Sequence, residues 1–468
     1  MVPMSRIACL WFLPALLLAS PAWSLAAGPA PGDAPDPAAE PAAAAEPAPA
    51  AVSPPAGAEP APAAEAPAPA GGESIAEIIE RLMHLETHGF VTQGYLKTTR
   101  NNFLAGSARD WGSLDYNQIG LAFSATVFQN ARLGLQLNSR KLGPVGNNAI
   151  GIDWGFGDYP WRPWLGVRVG LIRQPVGLYN ETRDVDQTRH YALLPEGAYY
   201  EAWRDTMASL IGLGLYGSAG SLSWQVLGGT QSVSKDGSTA HALVRNDLIS
   251  DVTAVDVEWA AALALNWDTP LTGLRVGLSG YCDRLRLHGT KAKVWDYVAD
   301  YDDPQYGMHP VPRLTDGVPV TLDLPFNASA FLSAEYVRGN ATFQLEGHLE
   351  YLGFRFVELE KDAPTLSGGF WAAGLYRFTD WLELGLRLEQ VYDFIDPDGQ
   401  TYYKIDLPAF AAWQRNYALS ARFDPTSFWT LKLEAQFVDG TYTLLRGDNP
   451  DGMRKYWGLF VAKTTFYF

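Results

Sequence analysis

From Phe90 to the end of the chain, apolar and polar positions alternate with a period of two, the pattern of strands that present one apolar face. Ile119, Leu121, Phe123, Ala125 and Val127 are interleaved with Gln118, Gly120, Ala122, Ser124 and Thr126. Leu382, Leu384, Leu386 and Leu388 alternate with Glu383, Arg387 and Glu389; Leu431, Leu433, Ala435 and Phe437 alternate with Lys432, Glu434 and Gln436. Val255, Val257, Trp259, Ala261, Leu263, Leu265 and Trp267 form the longest such run, set against Asp256, Glu258 and Asn266. Strands of soluble proteins average about 5–6 residues. These runs reach about ten or more, which is what a tilted strand needs to cross a bilayer.

The connections are sorted by length as well as the faces by polarity. Short turns fall at 129–131, 158–162, 217–220, 268–273, 338–340, 379–380 and 424–427. Between them lie long connections at 99–115, 139–149, 173–207, 231–253, 288–325, 357–367, 393–409 and 439–454. A soluble sandwich has no reason to sort its loops by parity. A membrane barrel does, with turns at one rim and long loops at the other. The prediction is an all-β fold over 89–468, a transmembrane antiparallel β-barrel of about 16 strands. Trp154, Tyr159, Trp164, Trp267, Tyr336, Trp371, Tyr376, Trp381, Trp429 and Trp457 fall near strand ends and are expected to form interfacial belts.

Before the barrel the pattern changes. Residues 73–88 read as a short helix: Ser74 and Glu77 form a capping box, and Ile75, Ile78 or Ile79, Leu82 and Leu85 recur at helical spacing. About two heptads cannot hold a helix alone, so the apolar stripe is expected to pack on the barrel base or on its own copy in neighbouring subunits. Residues 27–72, almost entirely Ala, Pro, Gly and Glu, are an extended linker without apolar side chains to bury. Residues 1–26 read as a secretory signal peptide, with Arg6 before an apolar core from Ile7 to Leu18 and small residues at Ala22, Ser24 and Ala26.

Composition sharpens this picture. Aromatics make up 13% of the chain, yet charged residues are only 18% and the mean hydropathy is -0.09, as expected when only alternate residues meet lipid. The formal charge of -16 excludes nucleic acid as a natural partner. Of two cysteines, Cys9 lies in the leader and Cys282 in the barrel region.

The last stretch, RKYWGLFVAKTTFYF, places Phe460, Ala462, Thr464, Phe466 and Phe468 on one strand face. This ending resembles the C-terminal signature of Gram-negative outer-membrane β-barrels, in which a terminal Phe and an aromatic two residues earlier are read by the barrel-assembly machinery. Phe466 and Phe468 would be that signal here, although the family's usual Gly five residues before the end is Lys463. The short helix before the barrel is similar to the periplasmic helices of trimeric porins of the DcaP type. The run GLIRQPVGLYNETRDVDQTRHYALLP is similar to segments of proteobacterial porin-like proteins. In general porins the third extracellular loop folds inward and sets the constriction, and by count 173–207 resembles it.

The resemblance implies a Gram-negative outer-membrane porin, a homotrimer surrounded by lipid and lipopolysaccharide. Its N-terminal arm would lie in the periplasm and could reach peptidoglycan. It would pass small hydrophilic solutes or ions without a cofactor. A constriction would fall on Arg173, Arg183, Asp184, Asp186, Arg189, Arg204 and Asp205, where opposed charges create a transverse field. Arg132, Arg140 and Arg168 fall on inner faces and would form a basic pore wall. The rival expectation is a structural barrel tethered to the wall or a periplasmic partner through its arm, with the pore incidental or plugged. No catalytic set stands out. His84 and His88 sit one helical turn apart without a third ligand, and His348 between Glu346 and Glu350 reads as pore-wall polarity rather than a metal site.

Overall fold

The computed structural model describes residues 84–468 except 128–129, 144, 247–248, 298–309, 316–318, 359–360 and 403–406. The expected signal peptide and linker, and residues 73–83 of the expected helix, lie outside the described residues. The rest of that helix is a correction. Residues 84–88 open the first strand, His84–Thr98, and pair with Thr126 to Ala122 of the second. Helical spacing over two turns is a weak signal, and a neighbouring strand that satisfies the backbone overrides it. Positions four apart on a strand are about 13 Å apart, so positions 84 and 88 are not one helical turn apart.

Among the described residues, nineteen extended segments form one sheet, of which three short ones (Pro310–Thr315, Arg355–Phe356 and Lys361–Asp362) extend hairpins beyond the wall. The remaining sixteen close on themselves. The first nine are His84–Thr98, Ser113–Val127, Ala131–Leu142, Ile150–Arg162, Leu165–Arg173, Ser209–Ala219, Leu222–Thr230, Asp251–Asp268 and Leu274–Tyr297. The tenth to sixteenth are Val320–Arg338, Ala341–Leu352, Thr365–Thr379, Leu382–Asp393, Trp413–Thr426, Trp429–Gly440 and Tyr456–Tyr467. Every neighbouring pair is antiparallel, and the sixteenth meets the first in register from Phe90 opposite Tyr467 to Thr98 opposite Leu459. Closure leaves no edge, so every wall strand has two neighbours. Phe468 adds one more rung, exchanging backbone hydrogen bonds with Gly89 at 3.0 and 3.1 Å.

Connections after even-numbered strands are short (163–164, 220–221, 269–273, 339–340, 380–381 and 427–428), and those after odd-numbered strands are long. The two faces of the wall divide as the alternation requires. Ile119, Leu133, Val169, Phe343, Leu386, Leu419, Phe437 and Phe460 stand exposed on the outside, whereas Gln136, Glu346, Arg387, Lys432, Glu434 and Lys463 point inward. Tyr159, Trp164, Trp267, Tyr376 and Trp381 remain exposed, as a belt requires, and Trp429 stacks on outward Phe466 at 5.5 Å. Trp371 and Trp457 depart from the expectation. Both are buried inside the barrel, because their positions have inward parity on the twelfth and sixteenth strands.

An outward position at mid-strand should resist charge. Leu386→Arg is expected to lower the stability of the lipid-inserted barrel by about 2–4 kcal/mol, read from denaturant unfolding in phospholipid vesicles followed by tryptophan fluorescence.

Candidate functional site: a segment folded into the barrel

The connection between the fifth and sixth strands, residues 174–208, does not stay at the rim. It enters the barrel and lies against the inner wall. It holds only single-turn helices, Asp186–Thr188, Glu201–Trp203 and Arg204–Met207, so its backbone needs outside partners. Inward carboxylates of the wall supply acceptors. Glu346 on the eleventh strand accepts from the Leu178 N–H at 2.8 Å, the Tyr199 hydroxyl at 2.7 Å, Ser333 at 2.6 Å and the Trp371 indole at 3.0 Å. Glu434 accepts from the Ala192 N–H at 2.9 Å, with Arg387 at 3.0 Å as its counter-charge. Glu389 accepts from the Gly197 N–H at 2.5 Å.

Wall cations supply the donors. Lys432 Nζ donates to the Asp186 and Arg189 carbonyls, both at 2.6 Å, and Lys463 Nζ to the Ala192 carbonyl at 2.6 Å. Arg422 donates to the Gln187 carbonyl at 2.9 Å and Arg387 to the Leu193 carbonyl at 3.0 Å. Lys463 stands where the terminal signature ordinarily has Gly, and its parity explains the difference: the position faces the lumen and holds the segment.

Other contacts complete the circuit. Tyr116 on the second strand donates to the Ala192 carbonyl at 2.9 Å, Arg140 on the third pairs with Glu201 at 3.2 Å, and Ser279 on the ninth accepts from the Gly177 N–H at 2.8 Å. His190 reaches Glu383 on the thirteenth strand at 2.7 Å and Ser420 on the fourteenth at 2.8 Å. The segment is therefore bonded to wall strands on every side of the lumen. Gly177 has φ +60, and a Cβ there would come within 2.3 Å of the Tyr199 hydroxyl, so glycine is required at this anchor.

At mid-height the contact is apolar. Tyr179 stacks on Trp371 at 6.0 Å, Tyr191 meets the same ring edge-on at 6.0 Å, and Tyr199 lies 6.1 Å from Tyr179. Leu210, Leu227, Ala262, Phe331, Ala373 and Leu375 from the inner wall close around them. Such aromatic pairs contribute about 0.5–1.5 kcal/mol each beyond area burial. Above this core, other connections lie across the segment. Tyr200 donates to the Thr443 carbonyl at 2.8 Å, Asn449 Oδ1 accepts from the Asn102 N–H at 2.7 Å, and Arg245 donates to Asp448 at 2.7 Å.

The charged residues expected at an eyelet are nearly all brought together, but as a buried and mutually paired network. Arg183 and Asp184 are each only 2% exposed. Asp184 lies 2.5 Å from both Arg173 and Arg204, and Arg173 also pairs with Asp153 of the fourth strand. Arg183 pairs with Glu201 at 3.1 Å. Asp186 lies 2.5 Å from Lys463, 3.1 Å from Lys432 and 3.5 Å from Arg189. Asp205 sits apart, accepting from the Ser238 N–H at 2.6 Å. In the expected basic wall, Arg140 and Arg168 are each matched by a carboxylate, Glu201 and Asp158, with Arg168 also 4.4 Å from the Tyr216 ring. Arg132 is exposed.

Burial opposes ionisation of Asp184, but Arg204 and Arg173 hold its carboxyl well below the usual range. Glu201 is held at about 2, burial being outweighed by Arg183 and Arg140. Glu196 moves the other way: burial, with Glu201 and Glu389 nearby, raises it well above an ordinary glutamate.

Sequence reasoning gave Glu346, Glu434, Lys432 and Lys463 no part in holding this segment and set Trp371 in an outer belt. The available signal was parity. On the twelfth strand Phe370, Ala372 and Gly374 alternate with Trp371, Ala373 and Leu375, so both faces are nonpolar, which a water-facing wall does not need. Among the described residues no group of three or more His, Cys, Asp or Glu is placed to hold a metal ion.

No protein-family model matches the sequence, and no curated protein matches it. Solved structures do match in fold. The anion-selective porin of Comamonas acidovorans aligns over 82% of this chain and 100% of its own, with 10% identity and a TM-score of 0.51. The outer membrane channel DcaP of Acinetobacter baumannii aligns over 85% of this chain and 100% of its own, with 10% identity and a TM-score of 0.50. OmpT, an outer membrane protein of Vibrio cholerae, aligns over 83% and 98%, with 12% identity and a TM-score of 0.50. The architecture is thus a porin-type barrel.

Two outcomes follow for the segment. Asp186→Asn leaves two buried ammonium groups without their carboxylate, at a cost of about 3–5 kcal/mol; trypsin should then cut after Arg183 and Arg189, which the intact protein protects. A raised carboxyl favours the seated segment most fully below the ordinary glutamate pKa, and that contribution is lost as pH rises through the raised value. Amide exchange across 183–200, corrected for its intrinsic pH dependence, should therefore accelerate on the alkaline side, and Glu196→Gln should flatten the rise.

Proposed function

We propose that this chain is an outer-membrane channel of porin type for small hydrophilic solutes or ions, with residues 174–208 acting as its gate. The observation that carries the reading is the ionic fastening of the segment. The wall groups that answer its backbone are carboxylates and cations, which water solvates readily once the segment moves away. Water and permeating ions can take over such partners when the segment moves. The charges of the expected eyelet, Arg173, Arg183, Asp184, Asp186, Arg189 and Arg204, would then face the passage in the open state. Passive diffusion, a location in a Gram-negative outer membrane and assembly as a homotrimer belong to the same proposal, supported by the likeness to porin structures.

The completeness of the contacts around the lumen favours a second reading, a structural barrel in which the segment stays seated. Planar-bilayer recording separates the two. The gated channel is expected to give stepwise conductance with long closed periods, and Gly177→Ala, which disturbs an anchor, should raise the open fraction. Conductance steps absent from both proteins would leave the structural barrel.

A further inference from the structure

The wall holds two inward carboxylates that the segment does not use and that no base neutralises. Asp283 on the ninth strand is 1% exposed. Glu350 lies on the eleventh strand, and the tenth strand runs between them. Asn327 is opposite Asp283 in register, while Ser329 is opposite both Tyr281 and Glu350. Asn327 Nδ2 donates to Asp283 Oδ1 at 2.7 Å and Ser329 to Glu350 Oε1 at 3.4 Å. No ion pair to either carboxylate occurs among the described residues, although Asp153, Asp158, Asp184, Asp186, Glu201 and Glu434 each have one.

Both carboxylates line one cavity of about 20 Å³. Two more oxygens on its lining have no partner. Asn327 Oδ1 is left over after the amide has donated to Asp283, and that residue is 2% exposed. Thr239 Oγ1, on the short helix Ser238–Arg245, belongs to a residue 1% exposed. Unpartnered buried oxygens beside two carboxylates without a base are unfavourable unless the carboxyls take up protons or a positive charge fills the space between them.

We propose that Asp283, Glu350, Asn327 and Thr239 form a binding site for a hard divalent cation of the size of Ca²⁺. All the donors are oxygens, as hard cations require, and two carboxylates match a double charge. The two carboxylates, the amide oxygen and the hydroxyl offer up to six ligand atoms, within the range Ca²⁺ uses. Mg²⁺ retains several waters, for which so small a space has little room. The site is separate from the ionic network of the inward segment. A cation in it would tie the helix Ser238–Arg245 to the wall, and through Trp203, which lines the same cavity, the end of the inward segment as well.

Trp203 and Tyr281 on the cavity lining make the site testable with Tb³⁺, whose emission an adjacent indole or phenol sensitises. Full-length protein, refolded in detergent without lipopolysaccharide and stripped with chelator, is expected to give one saturable emission signal that Ca²⁺ displaces. Asp283→Asn and Glu350→Gln should each weaken it by roughly tenfold or more, and Thr239→Val by less. Isothermal titration of the unaltered protein with Ca²⁺ keeps the proposal falsifiable if a variant does not fold. Absence of saturable Ca²⁺ binding to the unaltered protein overturns the site, leaving protonated carboxyls in the cavity. Saturable emission that persists undiminished in both carboxylate variants overturns it equally, by placing the ion on exposed acidic loops.

Discussion

A length of chain without regular structure can occupy the inside of a barrel only if its amide and carbonyl groups are answered by the wall. This requirement governs the interior. Glu346, Glu389 and Glu434 meet N–H groups of the inward segment, and Lys432, Lys463, Arg387 and Arg422 meet its carbonyls. Charged wall side chains here perform for an irregular backbone what neighbouring strands perform for a sheet. The aromatic cluster around Trp371 adds burial, but without those polar partners it would enclose unsatisfied peptide groups, and the seated arrangement would be lost.

The same inner face serves two purposes that are usually distinguished by composition. A hydrated passage calls for polar residues with free access to water, and a packed core calls for apolar ones. The lumen joins the two, with a nonpolar belt at Trp371, Phe331 and Leu210 and ionic knots at Asp184 and Asp186. Asp184 and Asp186 are neutralised locally by the bases around them, whereas Glu346 is answered by uncharged donors alone.

Much of the wall was legible before the structure, because strand alternation and loop parity are local and repeat sixteen times. The inward course of 174–208 was legible only by its position in the loop order. What could not be read was pairing. That Asp184 would meet Arg173 and Arg204, while Asp186 would meet Lys432 and Lys463, 246 and 277 residues later, depends on how far the segment reaches across the lumen, and residue type alone does not encode this. The helix expected up to His88 failed for a different reason. Leu85, Thr87 and Gly89 also fit a period of two, and a short run compatible with both periods is decided by its neighbour, here the second strand. Trp371 and Trp457 were misassigned to a lipid belt because closeness to a strand end was weighed above parity.

The closing strand joins two tasks that could have been separate. Its backbone seals the cylinder against the first strand, while Lys463 and Thr465 on the same strand grip Asp186. Interior and seam must consequently be finished together. A nascent sheet still lacking its final member offers Asp186 only part of its cationic cage, so the order in which the chain is threaded into the bilayer also sets the moment at which its centre can solidify.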